Sequence, residues 1–361
     1  MDDFPQLTTP AFLVDRPTLQ RNCDSMRAKA SRSGVIFRPH VKTHKVAEIG
    51  RMQHGGGPGP ITVSTLAEAE HFAAAGFADI TYAVPIGPEK LARAAALAKR
   101  IARLNILIDS FEALDAIEDF GYLFDVFLKV DCGYHRAGVD PDRPESLDLA
   151  RRMAAAKTIR FRGLLTHAGH SYNAGGVEEI LPVAEQETAA VTRFRERIGA
   201  DLIRSVGSTP TASAVERFAS CDEVRPGNYV FYDAFQIGIG SCRFDDCAVS
   251  VLATVIGSYF ERKTMIIDAG ALALSKDRGP DHVDPGFGYG IVCDLDLTPL
   301  PMKLVTLSQE HGKIFAEEPL PVGRRVRILP NHSCLTAAMY DTFYGMESGK
   351  VVAEWRPVRG W

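Results

Sequence analysis

The stretch VIFRPHVKTHKV, residues 35–46, sets an arginine, two histidines and two lysines behind an apolar start. Read with a period of two, Val35, Phe37, Pro39 and Val41 share one face, and Arg38, His40, Lys42 and His44 share the other. It is the first of eight β-branched runs, which begin near residues 35, 61, 79, 104, 125, 161, 202 and 222. Between them lie alanine-rich segments such as LAEAEHFAAAGF, GPEKLARAAALAKRIA and SFEALDAIED, the last opening on a serine cap. Parallel strands need helical crossovers, and eight such units close a sheet on itself. The pattern predicts a (β/α)8 TIM-type barrel over residues 1–245, with a doubly wound open sheet as the competing arrangement. In a barrel the ionisable face of the first strand leads to the C-terminal mouth, where barrel enzymes build their sites. Lys42 falls on that face and Lys45 beyond the strand. Crowded cations lower the pKa of a lysine, and a neutral amine is a nucleophile and a base. Pro39 marks a bulge or an early strand end, because proline is poorly tolerated inside a central strand.

After about residue 245 long helical patterns give way to short β-type runs: AVSVLATVIG, KTMIIDAG, YGIVCDL, MKLVTLSQEHG and RRVRILPNH. They predict a smaller, mostly β domain over 246–361, which the strand-like residues near 10–15 are placed to join. The chain has 361 residues, 46% hydrophobic and 24% charged, with a net charge of -4. That balance gives no bulk attraction to nucleic acid or to an anionic membrane and points to small-molecule partners. The start MDDFPQLTTPAFLVD is acidic and holds two prolines, unlike a signal peptide, and no run approaches the roughly 18 apolar residues of a membrane span. Seven scattered cysteines without a CxxC pair fit a reducing cytoplasm better than a disulfide framework or zinc knuckle.

RPHVKTHK resembles the lysine motif of the fold-type III pyridoxal 5'-phosphate (PLP) enzymes. The branch is that of eukaryotic-type D-serine dehydratase and D-threonine aldolase, more distantly related to alanine racemase. Seven further segments carry the resemblance in order: TPAFLVD, KVDCGYHRAG (129–138), GLLTHAGHSY (163–172), SVGSTPT (205–211), RPGNYVFYD (225–233), SQEHG (308–312) and NHSC (331–334). The resemblance implies a barrel that holds the cofactor, a C-terminal β domain and a homodimer. It also implies that Lys42 binds the cofactor covalently, that Arg136 lies near its phenolic oxygen, that His167 packs by its ring, and that Tyr172 is a further contact.

Physical reasoning adds the rest of the candidate site. GSTPT supplies Gly207, Ser208, Thr209 and Thr211 after the seventh strand, and RPGNY supplies Gly227, Asn228 and Tyr229 after the eighth. Barrels commonly hold phosphate there, on amides and hydroxyls that small residues let approach. A plain helix-opening turn is the other reading of Gly-Ser-Thr-Pro, a loop ion pair the other reading of Asp131 and Arg136, and a structural hydrogen bond the other reading of His167. His332 and Cys334 are two apart, so in extended backbone both project to one side and can bind one ion. Two ligands leave positions open for substrate, and imidazole with thiolate suits Zn2+ better than Mg2+ or Ca2+, with Mn2+ and Co2+ as alternatives. By resemblance, His-x-Cys goes with the dehydratases and His-x-Asp with the aldolases.

The implied activity is that of a lyase, a PLP- and metal-dependent dehydratase (ammonia-lyase). It would remove the β-hydroxyl of a D-amino acid such as D-serine, D-threonine or D-threo-3-hydroxyaspartate, giving a 2-oxo acid and ammonia. Aldol cleavage to glycine and an aldehyde is the first rival. Racemisation fits less well, since no tyrosine matches the racemases' second base and Thr-His-Lys-Val-Ala follows Lys42. A non-catalytic PLP carrier would lack the C-terminal domain. Arg38 and His40 are candidates for receiving a second substrate carboxylate.

Overall fold

The computed structural model describes residue 4 and residues 7–361. The chain forms two compact units: Asp24–Gly227 with Val358–Trp361, and Met1–Cys23 with Asn228–Pro357. A first strand, β1 (Ala11–Asp15), belongs to the second unit and runs into the long helix Arg16–Ser33.

The first unit is built on eight parallel strands. They are β2 (Ile36–Phe37), β3 (Ile61–Val63), β4 (Asp79–Pro85), β5 (Arg103–Ile108), β6 (Phe124–Lys129), β7 (Ile159–Leu165), β8 (Ile203–Val206) and β9 (Glu223–Val224). Their order is β2-β9-β8-β7-β6-β5-β4-β3. The seam between β2 and β3 is bridged at His40 and Thr62, with the Thr62 N–H donating to Pro39 O at 2.9 Å. Every β-branched run of the sequence supplies one strand, and the eight form a nearly closed parallel barrel. Side chains cap the helices at their expected starts: Thr65 accepts from Glu68 N ahead of Leu66–Ala74, and Ser110 from Ala113 N ahead of Phe111–Phe120.

The first strand is much shorter than VIFRPHVK predicts. It ends at Phe37, because Pro39 has no N–H to give a ladder, and the chain then turns into a 3-10 helix, Val41–Thr43. Lys42 therefore lies on this turn, not on a strand, and the alternation of faces does not reach it. Arg38 turns into the barrel instead of toward the mouth. Its side chain is 3% exposed and pairs with the fully buried Glu223 (Nε–Oε2 2.5 Å) and with Asp79 (Nη1–Oδ1 2.7 Å). With both partners engaged there, Arg38 is not a candidate for a substrate carboxylate.

The second unit is a nine-stranded sheet in the order β11-β14-β13-β12-β15-β10-β1-β16-β17. The strands following the barrel are β10 (Val249–Tyr259), β11 (Thr264–Ile267), β12 (Gly290–Cys293), β13 (Pro299–Leu307), β14 (Gly312–Ala316), β15 (Arg325–Pro330), β16 (Phe343–Glu347) and β17 (Lys350–Trp355). β1 pairs antiparallel with β10 and parallel with β16. β10 also pairs with β11 across a bulge, which bends the sheet back on itself. Residues 228–245, grouped with the barrel by pattern, pack with this unit. They hold no strand, only turns and short helices, and Phe231 packs edge-to-face against Phe12 of β1 and Phe343 of β16 at centroid distances of 6.0 and 6.3 Å.

Candidate active site

The carboxyl ends of the barrel strands gather one group of candidates. His40 and Lys42 follow β2, Lys129 ends β6 with Arg136 on the next loop, and His167 follows β7. Gly207, Ser208 and Thr209 follow β8, and Arg225 and Gly227 follow β9. Lys42 is exposed on its 3-10 turn, where its backbone N–H points at His40 Nδ1 at 3.4 Å. Lys45, the other lysine of the motif, has its amine 3.0 Å from the buried carboxylate of Glu68. That ion pair leaves Lys42 as the lysine offered at the mouth.

The mouth is electropositive. Burial first, then the charges of Lys42 and Arg225, hold the His40 imidazole well below its ordinary pKa. Burial and then Lys42, Lys129, Arg136 and Arg225 do the same to His167. Both imidazoles are thus neutral at physiological pH. Lys129, 5% exposed, is pushed down to about 7 by burial and then by Arg225. Arg225 is itself buried and anchored, its Nε donating to Ser205 Oγ at 2.7 Å and its Nη2 to the Thr166 carbonyl. Sequence reasoning quoted RPGNY without singling out this arginine. Its place directly after a barrel strand was the available signal.

Arg136 is exposed with its guanidinium over the Tyr134 ring at 5.2 Å, and Asp131 pairs with His135 instead, so the loop ion pair with Arg136 does not form. His167 is half-buried, with Nδ1 3.4 Å from Gly207 O. Tyr172 lies on the 3-10 helix Gly169–Asn173, which Ser171 Oγ ties to Ser208 Oγ at 2.9 Å. Gly207 has φ +117°, and a Cβ there would stand 2.9 Å from Arg225 N; a Cβ on Gly227 would stand 3.1 Å from His40 Cβ. The two glycines are required by close approach of neighbouring loops. The backbone N–H groups of Gly207 and Ser208 donate to Glu187 Oε1 (2.9 Å) and Thr211 Oγ1 (3.2 Å), so these two amides are engaged inside the protein. Ser208 caps the helix Thr209–Ala214 with Pro210 in its first turn, the turn expected of GSTPT. A phosphate-bearing aldehyde fits this mouth: an amine at Lys42, an anchored cation at Arg225 and an exposed one at Arg136, neutral imidazoles, and hydroxyls at Ser208 and Thr209 over small residues.

The second unit holds another set. His332 itself is extended (φ −136°, ψ 100°), but the extended run stops there. It is the N-cap residue of the short helix Ser333–Ala338, and Cys334 lies in its first turn. The cap folds the two side chains together, and the Cys334 thiol is hydrogen-bonded to the His332 ring. His332 Nδ1 is 2.9 Å from Asp277 Oδ2, which leaves Nε2 as the nitrogen available to a metal. Burial opposes charge on this ring, but the bonds to Asp277 and Cys334 outweigh it and raise its pKa well above the ordinary value. Asn228 joins this set: its Nδ2 is 2.7 Å from Asp233 Oδ2, 2.9 Å from Ser333 Oγ and 3.6 Å from Cys334 Sγ, while its buried Oδ1 has no hydrogen-bond partner. Its side chain is committed here and not to a phosphate, and Tyr229, fully buried beside it, shares this unit. No three His, Cys, Asp or Glu side chains among the described residues converge as a metal cage. The donor set is therefore imidazole and thiol with an unpartnered amide oxygen nearby, which fits a soft divalent ion with open positions. Sequence gave no sign of Asp277, 55 positions from His332.

Comparison with known proteins covers both units. The alanine racemase N-terminal domain family matches residues 14–234, and the serine dehydratase domain family matches residues 248–346. The chain is 40% identical to D-threo-3-hydroxyaspartate dehydratase of Delftia sp. (strain HT23), over the whole of both chains. The solved structure of that enzyme superposes with a TM-score of 0.94, again over all of both chains. That protein has also been solved as a histidine-to-alanine mutant and as a cysteine-to-alanine mutant in metal-free form. D-serine dehydratase of Dictyostelium discoideum is 35% identical over all of this chain and 99% of its own. D-threonine aldolase of Arthrobacter sp. is more distant, 28% identical over 98% of this chain and 93% of its own. The chain belongs to the family of pyridoxal phosphate-dependent, fold-type III lyases in which an alanine racemase-type barrel is followed by a serine dehydratase domain.

Proposed function

We propose that this protein is a D-β-hydroxy amino acid dehydratase, dependent on PLP and on a divalent metal, that converts D-threo-3-hydroxyaspartate or D-serine to a 2-oxo acid and ammonia. The observation that carries the reading is the His332–Cys334 pair, folded together at a helix cap and oriented by Asp277. It accompanies full-length similarity to dehydratases and a cysteine where the aldolase pattern has aspartate.

In this reading Lys42 holds the cofactor, and its amine, once released by substrate, takes the Cα proton. PLP, when bound, supplies the electron-withdrawing ring that makes this proton acidic. Arg136 and Arg225 hold positive charge beside the ring, His40 and His167 stay neutral next to it, and Ser208, Thr209 and Gly227 receive the phosphate. The metal, zinc in preference to manganese or cobalt, would sit on His332 and Cys334 and act as a Lewis acid toward the β-hydroxyl, since hydroxide leaves poorly unaided. Loss of the hydroxyl frees an enamine that hydrolyses to the 2-oxo acid, pyruvate from D-serine and oxaloacetate from D-threo-3-hydroxyaspartate. A cytoplasmic homodimer belongs to the same proposal; no helix among the described residues is long and apolar enough to cross a membrane.

The test is Cys334→Ala. Turnover should fall by about 100-fold or more, since losing even a partner that orients a metal ligand costs about 10- to 100-fold, while cofactor uptake stays unchanged. Undiminished turnover would remove the metal from the reaction.

A further inference from the structure

Glu187 lies in the middle of the helix Val177–Ile198, among several glutamates of which it alone is fully buried, at 2% exposure. Its Oε1 accepts from Ala168 N at 3.1 Å and from Gly207 N at 2.9 Å, and its Oε2 accepts from Thr211 Oγ1 at 3.1 Å. The three donors come from two segments at the barrel mouth: the loop carrying His167, and the Gly207–Ser208 turn with the helix Thr209–Ala214 that follows it. No lysine or arginine among the described residues lies within ion-pair distance of it, although Lys129 and Arg225 feel its charge at longer range. A buried carboxylate held by amides and a hydroxyl is expensive unless those bonds are well made, and charge-assisted bonds of this kind are strong. Gly207 is the pivot. Its φ of +117° and the 2.9 Å clearance beside Arg225 N are conformations the loop must be held in, and the bond from its N–H to Glu187 is what holds it.

We propose that Glu187 is a positioning residue of the cofactor site: one carboxylate clamps the His167 loop to the Gly207–Thr209 loop and thereby sets cofactor affinity. The inference rests on the reading of these loops as the cofactor's binding loops. Glu187 touches neither cofactor nor substrate and acts through Ala168 and Gly207.

The geometry separates two substitutions. Glu187→Gln keeps an oxygen for both amides and turns its NH2 toward Thr211 Oγ1, which can accept. Glu187→Ala strands two buried N–H groups. Glu187 also borders a cavity of about 150 Å³ lined by Leu181, Thr188, Val215 and Phe218, which gives formate room to enter the Ala variant. The experiment is titration of each apoprotein with PLP, followed by the cofactor's visible absorbance. Glu187→Ala should bind about tenfold or more weakly, as expected for two orphaned amides, with formate restoring part of the loss. Glu187→Gln should stay within about threefold of the parent, since the acceptor for both amides is kept. Parent affinity in Glu187→Ala, or an equal loss in Glu187→Gln, would overturn the proposal. If Glu187→Ala does not fold, Glu187→Asp replaces it: its shorter arm cannot span both loops, so weakened binding supports the clamp and parent affinity refutes it. Lys42→Ala is the control for the underlying reading. If it leaves the absorbance of bound PLP unchanged, the site assignment has failed; if it abolishes that absorbance while Glu187→Ala binds normally, only the clamp has failed.

Discussion

Replacing Asp277 by asparagine should weaken the metal without disturbing the cofactor. The carboxylate does two things at once: Oδ1 accepts from Gly279 N at 2.8 Å, and Oδ2 faces His332 Nδ1 at 2.9 Å. Asparagine can keep the first bond through its oxygen, so the loop stays in place. Its NH2 then points at Nδ1, and two donors cannot face one another. The imidazole must move its proton to Nε2, the nitrogen a metal needs bare. The loss is that of one hydrogen bond to a charged group, about 1.5–3 kcal/mol. At about 1.4 kcal/mol per tenfold, this is roughly 10- to 150-fold in metal affinity. The pH dependence has a fixed sign. His332 without metal has a raised pKa, so binding metal displaces its proton, and metal affinity falls as pH drops through that raised value. Removing the carboxylate lowers the pKa, so the variant's affinity should fall off at a lower pH. The assay is competition for zinc with a chromophoric chelator across pH, with PLP absorbance recorded alongside. Parent zinc affinity in Asp277→Asn would refute the argument that Asp277 orients the ligand.

Arg38→Met should leave the buried Glu223 without its cation, lowering stability by about 3–5 kcal/mol while leaving KM unchanged; urea unfolding and steady-state kinetics check both halves. Apoprotein stability should rise between about pH 7 and pH 10, because the folded-state pKa of Lys129 lies near 7, below its unfolded value, and the unfolded chain binds the extra proton throughout that window. Lys129→Met should raise the unfolding midpoint more at pH 7 than at pH 10, and equal effects would contradict the assignment. Borohydride reduction followed by peptide mapping should place the pyridoxyl group on Lys42; an adduct on Lys45 would mean that its ion pair with Glu68 opens in the working enzyme.

The barrel was legible because its strands are largely buried and read as mainly apolar runs, some of them followed by a helix with a side-chain cap, as at Thr65, Ser110 and Ser208. The length of β2 was not, since a single proline decided it, and with it went the alternation that seemed to aim Lys42 from a strand. The lysine nevertheless stands at the mouth, delivered by a 3-10 turn. His332 and Cys334 were legible as a pair from spacing, yet the geometry that joins them is a helix cap. What no local pattern could show were the long-range partners: Asp277 for His332, Glu187 for Ala168 and Gly207, Glu223 for Arg38. Each is an acidic residue whose donor lies far from it in sequence, and only the fold brings the two together. Asn228 illustrates the converse, since a motif suited to phosphate placed its side chain against Asp233 and Cys334.

The most direct test of the whole account is product analysis of purified, PLP-loaded protein with D-serine and D-threo-3-hydroxyaspartate, before and after chelation and again after zinc is returned. The products should be 2-oxo acid and ammonia in equal amounts, lost with the metal and restored by it. Glycine with an aldehyde would make the protein an aldolase, and 2-oxo acid formed undiminished in chelator would leave His332 and Cys334 without the role given them here.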